Sequence, residues 1–536
     1  MLLLVVISGF VARMLPWPVP LPLVQIGLGA IVATITPFDV ALNPEIFFLL
    51  FLPPLLFLDG WRIPKIGLFR DIGTIIELSL GLVLFTVLGM GFFIHWLIPA
   101  IPLGVAFALA AVLSPTDPVA VSAISKRTPM PKRLMHILEG ESLLNDATGL
   151  VCLRFAIAAV LTGVFSLTEA IATFTWLALG GLVIGVVVTK GVSVAKFWLA
   201  RRLGEESGTQ ILISLLIPFG AYLAAEHLGC SGILAAVSAG ITMSYVEASG
   251  QVMASTRVRR NVVWDAVQFS ANGAIFVLLG EQMPKLVDGA ARVVREAGHH
   301  DASWLLLYVV AITLGLGVLR FVWVWVSLRF TMLRASKRQQ EVPKLHWRVI
   351  GAVSVAGVRG AVTLAGVLTL PLYLNNGSPF PARDLAIFLA AGVIILSLLI
   401  ANFMLPRLMR GLSLPPEPSH QTEEDIARAA LAKAAMQAVE KAQVEEADKG
   451  ADAALSAEAA TRVLDDYRHR LDQHLKTGEE KEYLLRLEEM EQKLNMAALN
   501  AGRDEIFRLA RARLIGDDVM RKLVREIDLM EARYHS

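Results

Sequence analysis

The sequence predicts an all-α polytopic membrane protein of about 13 transmembrane helices with a soluble helical tail. Three observations carry that prediction. Of 536 residues, 55% are hydrophobic and only 18% are charged, against about 25% charged in an ordinary soluble protein. The charges are unevenly spread: up to about residue 412 the chain is a series of apolar runs, and beyond it the composition is that of a soluble sequence. The basic residues between the runs alternate in density. The chain therefore divides into a transmembrane domain, 1–412, and a helical C-terminal domain, 413–536. A net charge of +2 gives no reason to expect nucleic acid as a partner. Cys152 and Cys230 sit in apolar runs without metal-ligand spacing, so neither a disulfide framework nor a zinc site is implied.

A helix needs about 20 apolar residues to cross about 30 Å of hydrocarbon. That length marks runs at 1–14, 20–36, 44–59, 70–98, 102–125, 134–163, 167–199, 207–228, 231–247, 260–281, 302–333, 348–371 and 384–411. The opening "MLLLVVISGFVARML" has no basic region ahead of it and no small-residue cleavage site, so it reads as a retained first span rather than a signal peptide. Its shortness points to a start upstream. Loops on one side hold Arg13; Arg62, Lys65 and Arg70; Lys126, Arg127, Lys132 and Arg133; Lys196, Arg201 and Arg202; Arg257, Arg259 and Arg260; and Arg334, Lys337, Arg338, Lys344 and Arg348. The other side holds only Lys285, Arg292, Arg295 and Arg383. Cytoplasmic loops carry the positive excess, so the N-terminus is expected outside and the tail in the cytoplasm. The tail opens on the proline-rich "LPPEPSH" and continues in segments rich in Ala, Glu and Lys, with apolar residues at helical spacing.

Charges inside the spans carry the functional signal. An ionised side chain at mid-membrane costs at least about 2.5–3.5 kcal/mol on insertion scales, so such groups face a cavity or a partner. In "LSPTDPVAVSAI", Pro115 and Pro118 bracket Thr116 and Asp117 inside an apolar run. Proline removes a backbone donor and blocks the bond to the residue four back. The carbonyls so freed can face a cation, because unwound backbone at membrane depth is tolerated where it lines a cavity. In "LEGESLLNDATGLV", Ser142 and Asp146 share one helical face and Glu141 and Asn145 a neighbouring one. A hard monovalent cation wants several oxygens, and a proton wants a carboxylate. Asp146 can serve either. An unpaired buried arginine is costly, so Glu141 is assigned to Arg320 of "LGVLRFVWVWV". Arg359, between Gly357 and Gly360, suits the neutralisation of carbonyl ends of broken helices. Asp59, Glu77, Arg154, Glu226 and Asp265 read as helix-end charges, either snorkelling or locally paired. Interrupted helices in corresponding positions of two halves are the expected pointer to a transport site between inverted repeats.

At these residues the chain resembles a known family. "SPTDPVAV", "GESLLNDATGLV", "AEHLGCSGILAAVSAG", "AGVRGAVTLA" and "FLPPLLFLDGW" are similar, in order across about 1–411, to segments of the monovalent cation:proton antiporters that include bacterial NhaP proteins and animal sodium/proton exchangers. The match is with the long-tailed bacterial members. The resemblance implies a homodimer of 13-span protomers in the bacterial inner membrane, with inverted repeats, two crossing discontinuous helices, and a core that moves against an interface domain. It implies electroneutral exchange of one Na⁺ or Li⁺ for one proton, in the service of pH homeostasis and sodium transport, with no cofactor and no enzymatic step. The ion and proton site falls on Asp146, with Asn145 before it. Asp117, Thr116 and Ser142 complete the Na⁺ ligands, Glu141 and Arg320 form a structural ion pair, and Arg359 lies at the helix crossing. Electrogenic relatives carry a second aspartate where this chain has Asn145, and Asn272 stands near where some relatives place an acid.

The mechanism expected is competition. A protonated Asp146 releases the cation, and a bound cation displaces the proton. If only these two occupied states cross the membrane, strict exchange follows. Potassium/proton exchange in the same fold is the nearest alternative, since the same oxygens serve either ion. A transport-inactive sensor signalling through the tail is an alternative of another class, and the intact acid set speaks against it. An intramembrane aspartyl protease lacks its Gly-x-Gly-Asp pattern here.

Overall fold

The computed structural model describes the chain outside residues 16–18, 36–43, 118–131, 163–166, 205, 249–253, 297–302, 338–346, 375–376, 411–419, 449–452, 476–478 and 533–536. It forms two compact units, Met1–Ser413 and Leu414–Ser536.

The first unit is helical, as its apolar runs require: in lipid every backbone polar group must be satisfied within the chain. In order, its helices are α1 (Leu2–Met14), α2 (Leu21–Ile35), α3 (Pro44–Arg62), the short α4 (Lys65–Arg70), and α5 (Ile72–Leu97), whose middle is a π-helical turn over Glu77–Leu82. There follow α6 (Leu103–Leu113), α7 (Lys132–Thr162), α8 (Leu167–Leu203), α9 (Ser207–His227), α10 (Gly232–Ala248), α11 (Ala254–Glu296), α12 (Ser303–Lys337), α13 (Trp347–Val355), α14 (Ala361–Leu368) and α15 (Arg383–Met409). Among the described residues, seven stretches are long and apolar enough to cross a membrane by themselves, those in α5, α7, α8, α9, α11, α12 and α15. The second half of the 102–125 run and the loop basic residues Lys126 and Arg127 lie outside the described residues. The run 348–371 is two helices, α13 and α14, rather than one.

The helices pack in two groups. α3, α8 and α9 gather around α10, and α2 lies along α11. Separately, α5, α6 and α7 pack in sequence, and α12, α13 and α15 pack on one another with α12 against α5. Contacts of α11 with α15 join the groups. In the first group Phe57 stacks on Trp264 at 5.3 Å, and the Trp264 indole donates to Ser214 Oγ at 3.2 Å. Here the structure corrects the reading of Arg260 as a loop residue. α11 begins at Ala254, and Arg260 is wholly buried in it, ion-paired with Glu247 beside the Trp61 ring. An arginine held this way offers no charge to a loop, so the basic excess on that side is smaller than a sequence count gives.

The second unit contains α16 (His420–Asp448), α17 (Ala453–Leu475), α18 (Glu479–Arg511) and α19 (Asp517–Ala532). Ala429, Ala432 and Ala460 are buried where α16 meets α17, small side chains that let the two helices approach closely. α18 ends in a left-handed residue, Arg513 (φ 55°), and Leu514 N–H returns to Leu509 O at 3.0 Å. That closure satisfies carbonyls the last turn would leave open. α19 then packs back on α18, tied by Arg503 to Asp528 at 3.0 Å and to Glu531.

Candidate functional site

The site is built where two interrupted segments touch. α6 stops at Leu113, and Ser114–Asp117 run non-helically. Pro115 cannot supply a helical donor. Pro118 lies outside the described residues. The second interruption separates α13 from α14, with Gly357 to Gly360 non-helical between them. The breaks are hydrogen-bonded to each other: Asp117 N–H donates to Val358 O at 2.7 Å. Glycine is needed at this junction, because a Cβ on Gly360 would overlap the Asp117 carboxylate. On the other side, a Cβ on Gly149 of α7 would come within 2.8 Å of Ala111 O and 2.9 Å of Pro115 Cδ. That glycine lets the α6 break lie directly on α7, one turn from Asp146.

Two buried arginines serve the broken ends. Arg359 Nε donates to Leu113 O at 3.0 Å, the last carbonyl of α6, and its Nη1 donates to Gly357 O. Its backbone N–H donates to Ser397 Oγ of α15 at 3.3 Å. Arg320 Nε donates to Val353 O at 3.1 Å, near the end of α13. A guanidinium on C-terminal carbonyls opposes the partial negative charge that collects there. Arg320 also grips both oxygens of Glu141, Nη1 to Oε1 at 2.5 Å and Nη2 to Oε2 at 2.7 Å. At 3% and 0% side-chain exposure, the pair has no access to solvent.

From Glu141 a chain of hydrogen bonds runs to Asn145. Thr116 Oγ1 donates to Glu141 Oε1 at 3.4 Å, and Asn145 Nδ2 donates to Thr116 Oγ1 at 3.0 Å. A threonine hydroxyl has one proton. Because that proton goes to Glu141, the oxygen must accept from Asn145. The amide is thereby oriented, and its Oδ1 is left buried without a hydrogen-bond partner among the described residues. Asp146 and Ser142, one turn apart on α7, are also buried, and Asp117 is half-buried.

Asp117 and Asp59 are the carboxylates within electrostatic reach of Asp146. Asp59 was not among the site residues read from the sequence, where it passed for a helix-end acid. It is exposed, one turn before Arg62 on α3, and it faces Asp117, Arg62 and Glu139 electrostatically. Its signal in the sequence is the "IFFLLFLPPLLFLDG" run, where an acid follows thirteen apolar or proline positions without any basic residue. Three of the other helix-end charges are locally paired: Asp265 with Arg62 at 2.5 Å, and Arg154 with Glu226 at 2.7 Å. The structure thus gathers Thr116, Asp117, Glu141, Ser142, Asn145, Asp146, Arg320 and Arg359 around the junction of two broken helices, with Asp59 beside them.

Residues 1–411 match the family model described as "Sodium/hydrogen exchanger, transmembrane". A protein of Escherichia coli strain K12 named "Uncharacterized Na(+)/H(+) exchanger YjcE" is 40% identical over 538 residues, covering 99% of this chain and 97% of that protein. A "Sodium, potassium, lithium and rubidium/H(+) antiporter" of Bacillus pumilus is 44% identical over 411 residues, 76% of this chain but 60% of that protein. The solved structure of the sodium proton antiporter MjNhaP1 from Methanocaldococcus jannaschii is similar with a TM-score of 0.58 at 19% identity, covering 76% of this chain and 97% of that one, a likeness of fold. The chain belongs to the sodium/hydrogen exchanger family and is a multi-pass membrane transporter, a monovalent cation/proton antiporter and not an enzyme.

Proposed function

We propose that the protein exchanges Na⁺ or Li⁺ for one proton, electroneutrally, by competition for Asp146. The observation that carries this reading is the buried Asp146 carboxylate set against the non-helical Ser114–Asp117 segment, while the Arg320 and Arg359 guanidiniums nearby spend their hydrogen bonds on Glu141 and on main-chain carbonyls. Glu141 is committed to Arg320 and cannot be the exchanging acid. Asn145 carries no charge and is held by Thr116. Asp146 is therefore the one other buried carboxylate on α7, and it alternates between proton and cation. Ser142 Oγ, Asp117 and the main-chain oxygen of Thr116 are the other ligand atoms. The Thr116 hydroxyl is already engaged by Glu141 and Asn145, so its carbonyl is the better donor to an ion. Asp59, exposed beside the cluster, adds a third negative charge that draws cations towards it.

Alternating access then couples the two fluxes. Cation-bound and protonated forms each leave the Asp146 site neutral, and only these cross. One positive charge leaves for each that enters, which is electroneutral exchange. In this reading the domain 1–412 has 13 spans in inverted repeats with crossing discontinuous helices. It works as a homodimer in the bacterial inner membrane, with the N-terminus outside and the domain 413–536 in the cytoplasm. K⁺ is a second candidate substrate, favoured by the Bacillus relative whose name includes sodium, potassium, lithium and rubidium.

The test is exchange in proteoliposomes carrying an inward-acid gradient and a pH-sensitive dye, with Na⁺, Li⁺ and K⁺ added in turn. Dequenching by Na⁺ or Li⁺, abolished in Asp146→Asn while the variant still folds, is the expected result. Dequenching by K⁺ alone would keep the mechanism and change the substrate. Coupled exchange persisting in Asp146→Asn would overturn the reading.

A further inference from the structure

α18 has two apolar faces, and only one is used. Gln492, Met496, Leu499, Arg503 and Ile506 are half-buried along one side, and α18 packs on α17 and α19. Tyr483, Leu487, Met490 and Leu494 lie 65%, 36%, 54% and 64% exposed. At 3.6 residues per turn the exposed four fall within an arc of about 60°, about 180° from the buried face. The spacing, four then three then four, is the alternation of a coiled-coil seam, with Leu487 and Leu494 at one core position and Tyr483 and Met490 at the other. α19 has only 16 residues against the 33 of α18, and its ties to α18 lie at Gly502 and Arg503. The half of α18 that carries the exposed stripe is beyond them.

The charges beside the stripe say what covers it. One flank carries Arg486 and Lys493, and the other carries Glu491. In a parallel pair of identical helices, the flank before one core position meets the opposite flank of the partner five residues on. Arg486 then faces Glu491 of the second copy, twice by symmetry. In an antiparallel pair the basic flanks would meet each other. Two copies in one membrane point the same way, which permits the parallel arrangement, and confinement to the membrane raises their effective concentration.

We propose that Tyr483, Leu487, Met490 and Leu494 of α18 pair with the same residues of a second copy as a short parallel coiled coil, set in register by Arg486 and Glu491. This does not depend on which cation is carried or on how the membrane helices associate.

The experiment uses the full chain in native membranes, with Cys152 and Cys230 replaced by alanine. Single substitutions Tyr483→Cys, Met490→Cys and Leu494→Cys are oxidised and run on non-reducing gels. Each is expected to give a disulfide-linked dimer, while Glu489→Cys, exposed on another face, gives none. In the Met490→Cys background, Arg486→Glu and Glu491→Arg each reduce the linked fraction several-fold, and the two together restore it. Linkage at one end of the stripe only, equal linkage at Glu489→Cys, absence of linkage, or insensitivity to the charge exchange would each overturn the proposal. A dimer held by membrane helices alone gives face-independent linkage or none, so the two associations fail separately.

Discussion

Glu141 and Asp146 are five residues apart on one helix, both buried, and they are treated oppositely. Glu141 is fixed: Arg320 holds both its oxygens, Thr116 donates to it, and the arginine is anchored in turn to the end of α13. Asp146 lies beside other carboxylates and an unwound segment instead. The difference separates a charge that holds the fold from a charge that is free to change. A bidentate arginine–carboxylate pair is strong and directional, and it binds α7, α12 and α13 together through one contact. An acid so held cannot release its counter-charge within a transport cycle. On the proposed mechanism the acid that works is the one left without a fixed cation.

That comparison can be broken at its structural end first. Glu141→Gln leaves the Arg320 guanidinium buried without its counter-charge, and removing one member of a buried pair costs about 3–5 kcal/mol. The expected result is poor recovery of folded protein and a large drop in melting temperature in detergent, with exchange lost as a consequence. Asp146→Asn should do the reverse, abolishing exchange and leaving the melting temperature near that of the native chain. A Glu141→Gln protein that folds normally and fails only in transport would erase the distinction between the two acids.

A smaller effect sharpens it. Thr116→Val keeps the shape of the side chain and removes the hydroxyl that joins Asn145 to Glu141. A buried polar group left without its partner costs about 1–3 kcal/mol, which a thermal melt detects. Because the hydroxyl belongs to the network and not to the ion, KM for the cation should move less than in Ser142→Ala. A larger KM change in Thr116→Val would place that hydroxyl on the ion. The smallest effect is expected in the tail. Arg462 pairs with Glu458 at 2.6 Å, both well exposed at 79% and 64%, and exposed pairs contribute little. Arg462→Ala should leave melting temperature and exchange unchanged, measured beside the variants above.

Much of the site was legible because its signal is local. Pro115 announces an interruption by its own chemistry, and Asp146 in an apolar run announces a function by its cost. The unsuspected member, Asp59, was not legible for the same reason: near the end of α3 an acid is ordinary, and its meaning comes from Asp117 and Glu139 coming within electrostatic reach. The place of Arg260 inside a helix was not legible either, because its burial beside Trp61 and Glu247 is not announced by the local sequence.

The sequence by itself determined that the chain enters a membrane, where its apolar runs give way to a second unit, and which side chains are too costly in lipid to be idle. Those follow from transfer free energies and helix length, which are properties of residues and short runs. Only the tertiary structure decided which charge answers which. Glu141 and Arg320 are 179 positions apart, and Arg359 and Leu113 246. Contacts at such separations are fixed by how whole helices pack, and no local preference encodes them.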